Sequence, residues 1–172
     1  MIRHLTAADY RVMPWANGRG QTIEMIRIEG PQGLLWRLSL ASVVEDGPFS
    51  VLPGVNRNLT VIAGPGFDLL GNGVRLRANP LSPVAFDGGL ALSAVGVAGP
   101  SDDFNVMTAA HLSVPEVSVI RENTALAAGG MLGVLALGPV QVADSTLVRG
   151  DLLLSDSALT VTGLSISVRI SE

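Results

Sequence analysis

Apolar side chains in this chain recur at every second position far more often than at every third or fourth, a period that belongs to strands. The clearest run is 34–43. There Trp36, Leu38 and Leu40 fall on one face, and Arg37, Ser39 and Ala41 on the other. A strand over 22–28 precedes it. Strands over 59–63, 67–70, 74–77, 84–86 and 90–97 follow, each bounded by Gly, Pro or Asn. Gly71-Asn72-Gly73 carries the residues that a tight hairpin turn needs. The second half predicts strands over 131–137, 140–143, 146–148, 151–154, 158–161 and 165–170, the last alternating strictly. One helical turn is expected at Thr6-Ala7-Ala8-Asp9, where a hydroxyl and an acid three residues on satisfy free amides.

The two halves read as copies. Leu59-Thr60-Val61-Ile62-Ala63, a Gly-Asn-Gly turn and Val84-Ala85-Phe86-Asp87 compare with Leu132-Gly133-Val134-Leu135-Ala136, Asp144-Ser145 and Val148-Arg149-Gly150-Asp151. The offset is roughly 70 residues, the length of a small barrel module rather than of a solenoid repeat. Short strands at close intervals make a sandwich or barrel, and two modules in 172 residues fit a pair of jelly rolls. The expected organisation is one all-β domain over 1–172, with modules at roughly 1–110 and 111–172.

Composition narrows the function classes. The chain is 48% hydrophobic and 15% charged, against about 25% charged in ordinary globular proteins, so it has the means to bury a large core. Net charge is −4 and all eleven basic residues are Arg, with no basic run to follow a phosphate backbone, so no nucleic-acid partner is expected. The 125–143 stretch carries no charge and is long enough for a bilayer, but Gly138-Pro139 reads as a turn between strands. It is expected to be buried between modules or between subunits of a homodimer, since sheets of this kind expose edges that need covering. The amino terminus lacks the apolar run of a signal peptide, and the expected location is cytoplasmic, with no membrane partner.

With neither Cys nor Lys, thiolate chemistry, Schiff bases and a P-loop lysine are excluded. A metal centre inside a barrel takes two or three imidazoles and a carboxylate. Only His4, expected at a mobile terminus, and His111 are available, so no metal and no other cofactor is expected. The polar residues instead gather in the first half. Arg37 and Ser39 share a strand face whose reverse is apolar. Arg37 therefore either projects into a cavity, where its planar fork suits a carboxylate, or forms half of an ion pair with Glu24 or Asp46. Arg57 begins the next strand, with the same two readings. Asp103-Phe104-Asn105-Val106-Met107-Thr108 mixes polar and apolar residues at strand spacing, and either lines a pocket or ends a strand. The Trp15-Ala16-Asn17-Gly18-Arg19-Gly20-Gln21-Thr22 segment is rich in Gly and amides, as a binding loop or as a plain connector.

Taken in order, Pro14-Trp15 with Asn17-Gly18 and Thr22-Ile23-Glu24, Trp36-Arg37-Leu38-Ser39, Asp46-Gly47-Pro48-Phe49-Ser50 with Pro53-Gly54 and Arg57, and Asp103-Phe104-Asn105-Val106-Met107 closely resemble the HutD/Ves family. The last third resembles it only in general character. Two departures stand out: Gln21, where members usually carry a small residue or Thr, and Ala109-Ala110, where many carry Arg. The resemblance implies a double cupin (bicupin) without bound metal, tied to histidine utilisation, that binds a small carboxylate such as urocanate or a formylated glutamate. Arg37 and Arg57 would hold the carboxylate, while Asn17, Ser39, Ser50, Asn105 and Met107 make further contacts. Glu24 and Asp46 lie beside them and would serve as the general base in the alternative, a metal-independent enzyme acting on a small acid.

Overall fold

The computed structural model describes all 172 residues. Its strands, in chain order, are β1 (Ile2–Leu5), β2 (Arg11–Pro14), β3 (Gln21–Gly30), β4 (Gly33–Val43), β5 (Gly47–Pro48), β6 (Val55–Ala63), β7 (Phe67–Gly71), β8 (Val74–Ala78), β9 (Val84–Asp87), β10 (Ser93–Val95) and β11 (Ser101–Ala109). They continue as β12 (Glu116–Ile120), β13 (Thr124–Leu126), β14 (Met131–Ala136), β15 (Val140–Val142), β16 (Ser145–Leu147), β17 (Leu152–Ser155), β18 (Leu159–Thr162) and β19 (Ser165–Ile170). The expected helical turn is a single 3-10 turn, Ala7–Asp9, where the Thr6 N–H donates to Asp9 Oδ2 at 2.8 Å.

The chain divides into two compact units, residues 11–111 and residues 1–10 with 112–172. The first ten residues thus belong with the second half: β1 pairs with β17. In the 11–111 unit one sheet runs β2-β3-β4-β11-β6-β9 and the other β5-β10-β7-β8. In the other unit the orders are β1-β17-β14-β19-β12 and β13-β18-β15-β16. Shifting β4–β11 by eight strands onto β12–β19 maps one order onto the other, so both units have jelly-roll topology and the fold is a double cupin. No strand pairing links the two sheets of either unit. Each is therefore an open two-sheet sandwich, the first of the two forms, sandwich or barrel, that the strand spacing allowed.

Each sandwich fills its own interior. Leu59 and Val61 meet Phe67, Leu69 and Ala94 in the 11–111 unit. In the other, Leu132, Val134 and Ala136 meet Val140, Val142 and Val161. The uncharged 125–143 stretch supplies much of that second core through β14 and β15, and no helix of the chain is long and apolar enough to cross a membrane.

Differences from the predicted strands trace to polar residues under cover. β6 begins at Val55 rather than Leu59, because Arg57 and Asn58 are buried although they break the apolar alternation. β11 extends over a segment in which Ser101, Asp103, Asn105 and Thr108 are all buried. The 90–97 strand shrinks to Ser93–Val95 because Leu90 and Leu92 sit in a turn. His4, expected to be mobile, is fixed in β1 opposite Leu153, with Nε2 2.9 Å from Asp151 Oδ2.

Candidate functional site

Within the 11–111 unit lies a cavity of about 480 Å³, walled by β4, β6 and β11 and rimmed by the Trp15–Thr22 and Pro48–Leu52 segments. Strand pleat decides its lining. On β4 the inward set is Arg37, Ser39, Ala41 and Val43; on β11 it is Asp103, Asn105 and Met107. Register then places Met107 between Arg37 of β4 and Arg57 of β6, and Asn105 beside Ser39. The two arginines are thus two strand spacings apart, roughly 10 Å between backbones, on one wall.

Their electrostatic situations differ. Arg37 Nε lies 2.7 Å from Glu24 Oε2, both side chains being mostly buried, and its guanidinium also reaches Met13 Sδ at 3.6 Å. A register shift at Met25 lets Glu24 stand opposite Ser39, within reach of Arg37. Arg37 therefore meets both sequence readings: it lines the cavity and is half of an ion pair. Arg57 has no carboxylate partner. It is 8% exposed and sits 5.4 Å from the Phe49 ring centre and 5.1 Å from that of Phe86. It donates only two long hydrogen bonds, to the Ser50 carbonyl and to Asn105 Oδ1, each 3.3 Å, while its Nε has no partner. Burial lowers its pKa from the ordinary value, the nearby Asp103 opposes that, and Arg37 adds to it.

Asn105 relays this arrangement to a carboxyl. Its Oδ1 accepts from Arg57 and its Nδ2 donates to Asp103 Oδ1, which fixes the amide's orientation. Asp103 is 1% exposed and its Oδ2 has no partner. Burial pushes its pKa up to about 7. The Asn105 hydrogen bond and Arg57 pull against that rise, and Asp102 adds to it.

Arg37, Arg57, Asn105, Asn17, Ser39, Ser50 and Met107 thus meet at one cavity. Ser50 touches Arg57 through its backbone carbonyl, and Asn17 Oδ1 accepts the Arg19 N–H within its own loop. Glu24 stands behind Arg37 rather than on the cavity surface. Asp46 lies outside it: its Oδ1 accepts the Val97 N–H and holds a turn. Sequence reasoning named Asp103 only within the 103–108 segment and gave it no role of its own, although the period of two from Asn105 and Met107 points to it. It missed Phe49 and Phe86, which only the tertiary fold brings onto Arg57.

The rim loop is closed by Trp15, whose N–H bonds the Gly20 carbonyl at 2.9 Å and whose indole Nε1 donates to Thr22 Oγ1 at 3.0 Å. A Cβ on Gly20 would stand 2.8 Å from the Trp15 ring, so glycine there lets the indole lie flat on the backbone. The 112–172 region has a smaller cavity, about 220 Å³. Its one guanidinium, Arg169, is already engaged by the Gly129 and Ala127 carbonyls and by Glu116 at 3.5 Å. No three His, Cys, Asp or Glu side chains in the protein come together as a metal site.

Comparison with known proteins agrees with the resemblance read from the residues. The family model HutD matches residues 7–169. An uncharacterized 21.2 kDa protein in the hutC 3' region of Pseudomonas putida is 42% identical over 111 residues; the match spans 63% of this chain and 58% of that protein. Protein Ves of Cronobacter sakazakii is 34% identical over 146 residues, covering 81% of this chain and 80% of Ves. The solved structure of HutD from Pseudomonas fluorescens SBW25 superposes with a TM-score of 0.91 at 30% identity, covering 99% of this chain and 98% of that one.

Proposed function

The chain belongs to the HutD family, and from that premise we propose that its larger cavity binds a small carboxylate metabolite of histidine utilisation in a regulatory role. The observation that carries this reading is Arg57: a buried cation with aromatic flanks, unused donor capacity and no carboxylate of the protein bonded to it. Holding a guanidinium out of water costs several kcal/mol, and a ligand carboxylate offsets that cost only when bound. With Arg37 neutralised by Glu24, Arg57 is the charge left to draw an anion into the cavity. The relatives' names point to the same metabolism, one lying in the hutC 3' region and another being HutD itself. Urocanate and N-formyl-L-glutamate are the candidate ligands, since each presents a carboxylate and further polar atoms for Asn105, Ser39 and Asn17.

The test is thermal. A ligand present at 100 times its dissociation constant stabilises the native state by about 2.7 kcal/mol, so one of these acids should raise the melting temperature measurably. No rise with either acid, up to millimolar concentration, would sink the reading. A metal-independent enzyme is the second reading, favoured by the near-neutral pKa of Asp103 at the cavity wall, in the range that suits a general acid or base. Consumption of either acid by the protein, lost in Asp103→Asn, would place it ahead of pure binding.

A further inference from the structure

The geometry points to Asp103 as the residue that selects among anions: it enters the complex as a neutral acid, donating Oδ2–H to an acceptor on a ligand whose carboxylate rests on Arg57. Binding then takes up one proton, and the preferred ligand pairs a carboxylate with a second hydrogen-bond acceptor rather than with a cationic donor. The inference rests on the carboxylate-binding reading and adds the chemistry of the ligand's other end.

Four observations support it. Asp103 lines the cavity, and its Oδ2 is buried beneath that lining without a partner, so its hydrogen-bonding capacity is unspent. The Arg57–Asn105–Asp103 chain fixes the other oxygen, Oδ1, as an acceptor, which leaves Oδ2 as the place for a proton. An unpaired buried acceptor is destabilising, whereas a protonated oxygen facing a ligand carbonyl has a partner. Finally, Arg57 is the charge that favours ionised Asp103, and a ligand carboxylate on Arg57 cancels that influence and adds its own negative charge nearby.

The other charges around Asp103 act in the same sense or are occupied. Asp102, its neighbour on β11, favours the protonated form. Arg37 on β4 is held by Glu24 of β3. Across the sandwich the inward residues Phe67, Leu69 and Ala94 carry no charge.

Calorimetric titration with N-formyl-L-glutamate tests this, because that acid has no group titrating between about pH 6 and 8. Runs in buffers of different ionisation enthalpy count the protons exchanged. Near pH 8 about one proton should be taken up per ligand, near pH 6 well under one, and affinity should fall by up to tenfold per pH unit above about 7. Asp103→Asn keeps a donor at the same place, and should bind with the affinity the natural protein shows near pH 6, flat with pH and without proton exchange. Should that variant not fold, the proton count on the natural protein decides alone. Binding without proton uptake, or Asp103→Asn losing affinity at both pH values, overturns the role of Asp103 and leaves carboxylate binding intact. Absence of binding by this acid and by urocanate across the range overturns both.

Discussion

Arg57→Met separates binding from folding more cleanly than any other change at the cavity. Methionine keeps most of the length and apolar contact of the arginine while removing charge and donors. Two partly desolvated cation–π contacts, to Phe49 and Phe86, are worth roughly 1–2 kcal/mol each. The two long hydrogen bonds contribute roughly 1 kcal/mol together, and Asn105 Oδ1 left without its donor costs roughly 1–3 kcal/mol. Against these losses stands the relief of holding an unpaired cation away from water, an effective penalty of several kcal/mol. The opposing quantities nearly cancel, so folding stability should change by no more than about 2 kcal/mol, roughly 4–8 °C in melting temperature for a chain of this size. Affinity for a carboxylate should fall by about 2–5 kcal/mol, since the ligand's charge is then stranded in the cavity. That is a loss of about thirtyfold to several thousandfold. Melting curves and calorimetric titration on the same preparation check both numbers. A protein that melts far lower yet binds with near-normal affinity would show that Arg57 supports the fold and not the ligand.

Arg37→Ala should behave oppositely: it leaves Glu24 mostly buried without its cation, costing about 2–4 kcal/mol of stability, and the added Glu24→Gln change should recover much of it in melting experiments. Asp103 holds a proton in the native state up to about pH 7, whereas the unfolded chain releases it near its ordinary value of 3.8. The native state therefore binds more protons between those values, and stability should fall on the order of 4 kcal/mol as pH rises through that window, then level off; denaturant melts of the natural protein and of Asp103→Asn, which should lack the slope, measure it. Gly20→Ala pushes the Trp15 indole off the loop and strains its bond to Thr22, so stopped-flow release of a bound acid should quicken while the melting temperature stays within about 2 °C, the change sitting on an exposed loop.

Alternation in sequence was enough to place Arg37, Ser39 and Ala41 on one wall, because β4 carries a clean apolar reverse face in Trp36, Leu38 and Leu40. The same rule was blunted on β6 and β11. There buried Arg57, Asn58, Asp103 and Asn105 look like surface residues by type, and only tertiary cover makes them interior. Asp46 misled for the converse reason: it neighbours the cavity segment in sequence, but a two-residue strand and a turn carry its side chain toward Val97. The pairing of Glu24 with Arg37 depends on a register shift at Met25, and nothing in the local composition announces a shift of that kind. The repeated strand order was visible as a repeat of turn signals. The inequality of the two cavities was not, because it depends on whether each guanidinium finds carbonyls or carboxylates nearby in space.

A crystal structure grown near pH 6 with N-formyl-L-glutamate or urocanate bears on the binding site itself. The ligand is expected in the larger cavity, with a carboxylate oxygen within about 3 Å of the Arg57 guanidinium, the distance of a charge-assisted hydrogen bond. A second polar atom should reach Asp103 Oδ2. Ligand seated against Arg169 in the smaller cavity instead, or in the larger one with Arg57 untouched, would contradict carboxylate capture by Arg57.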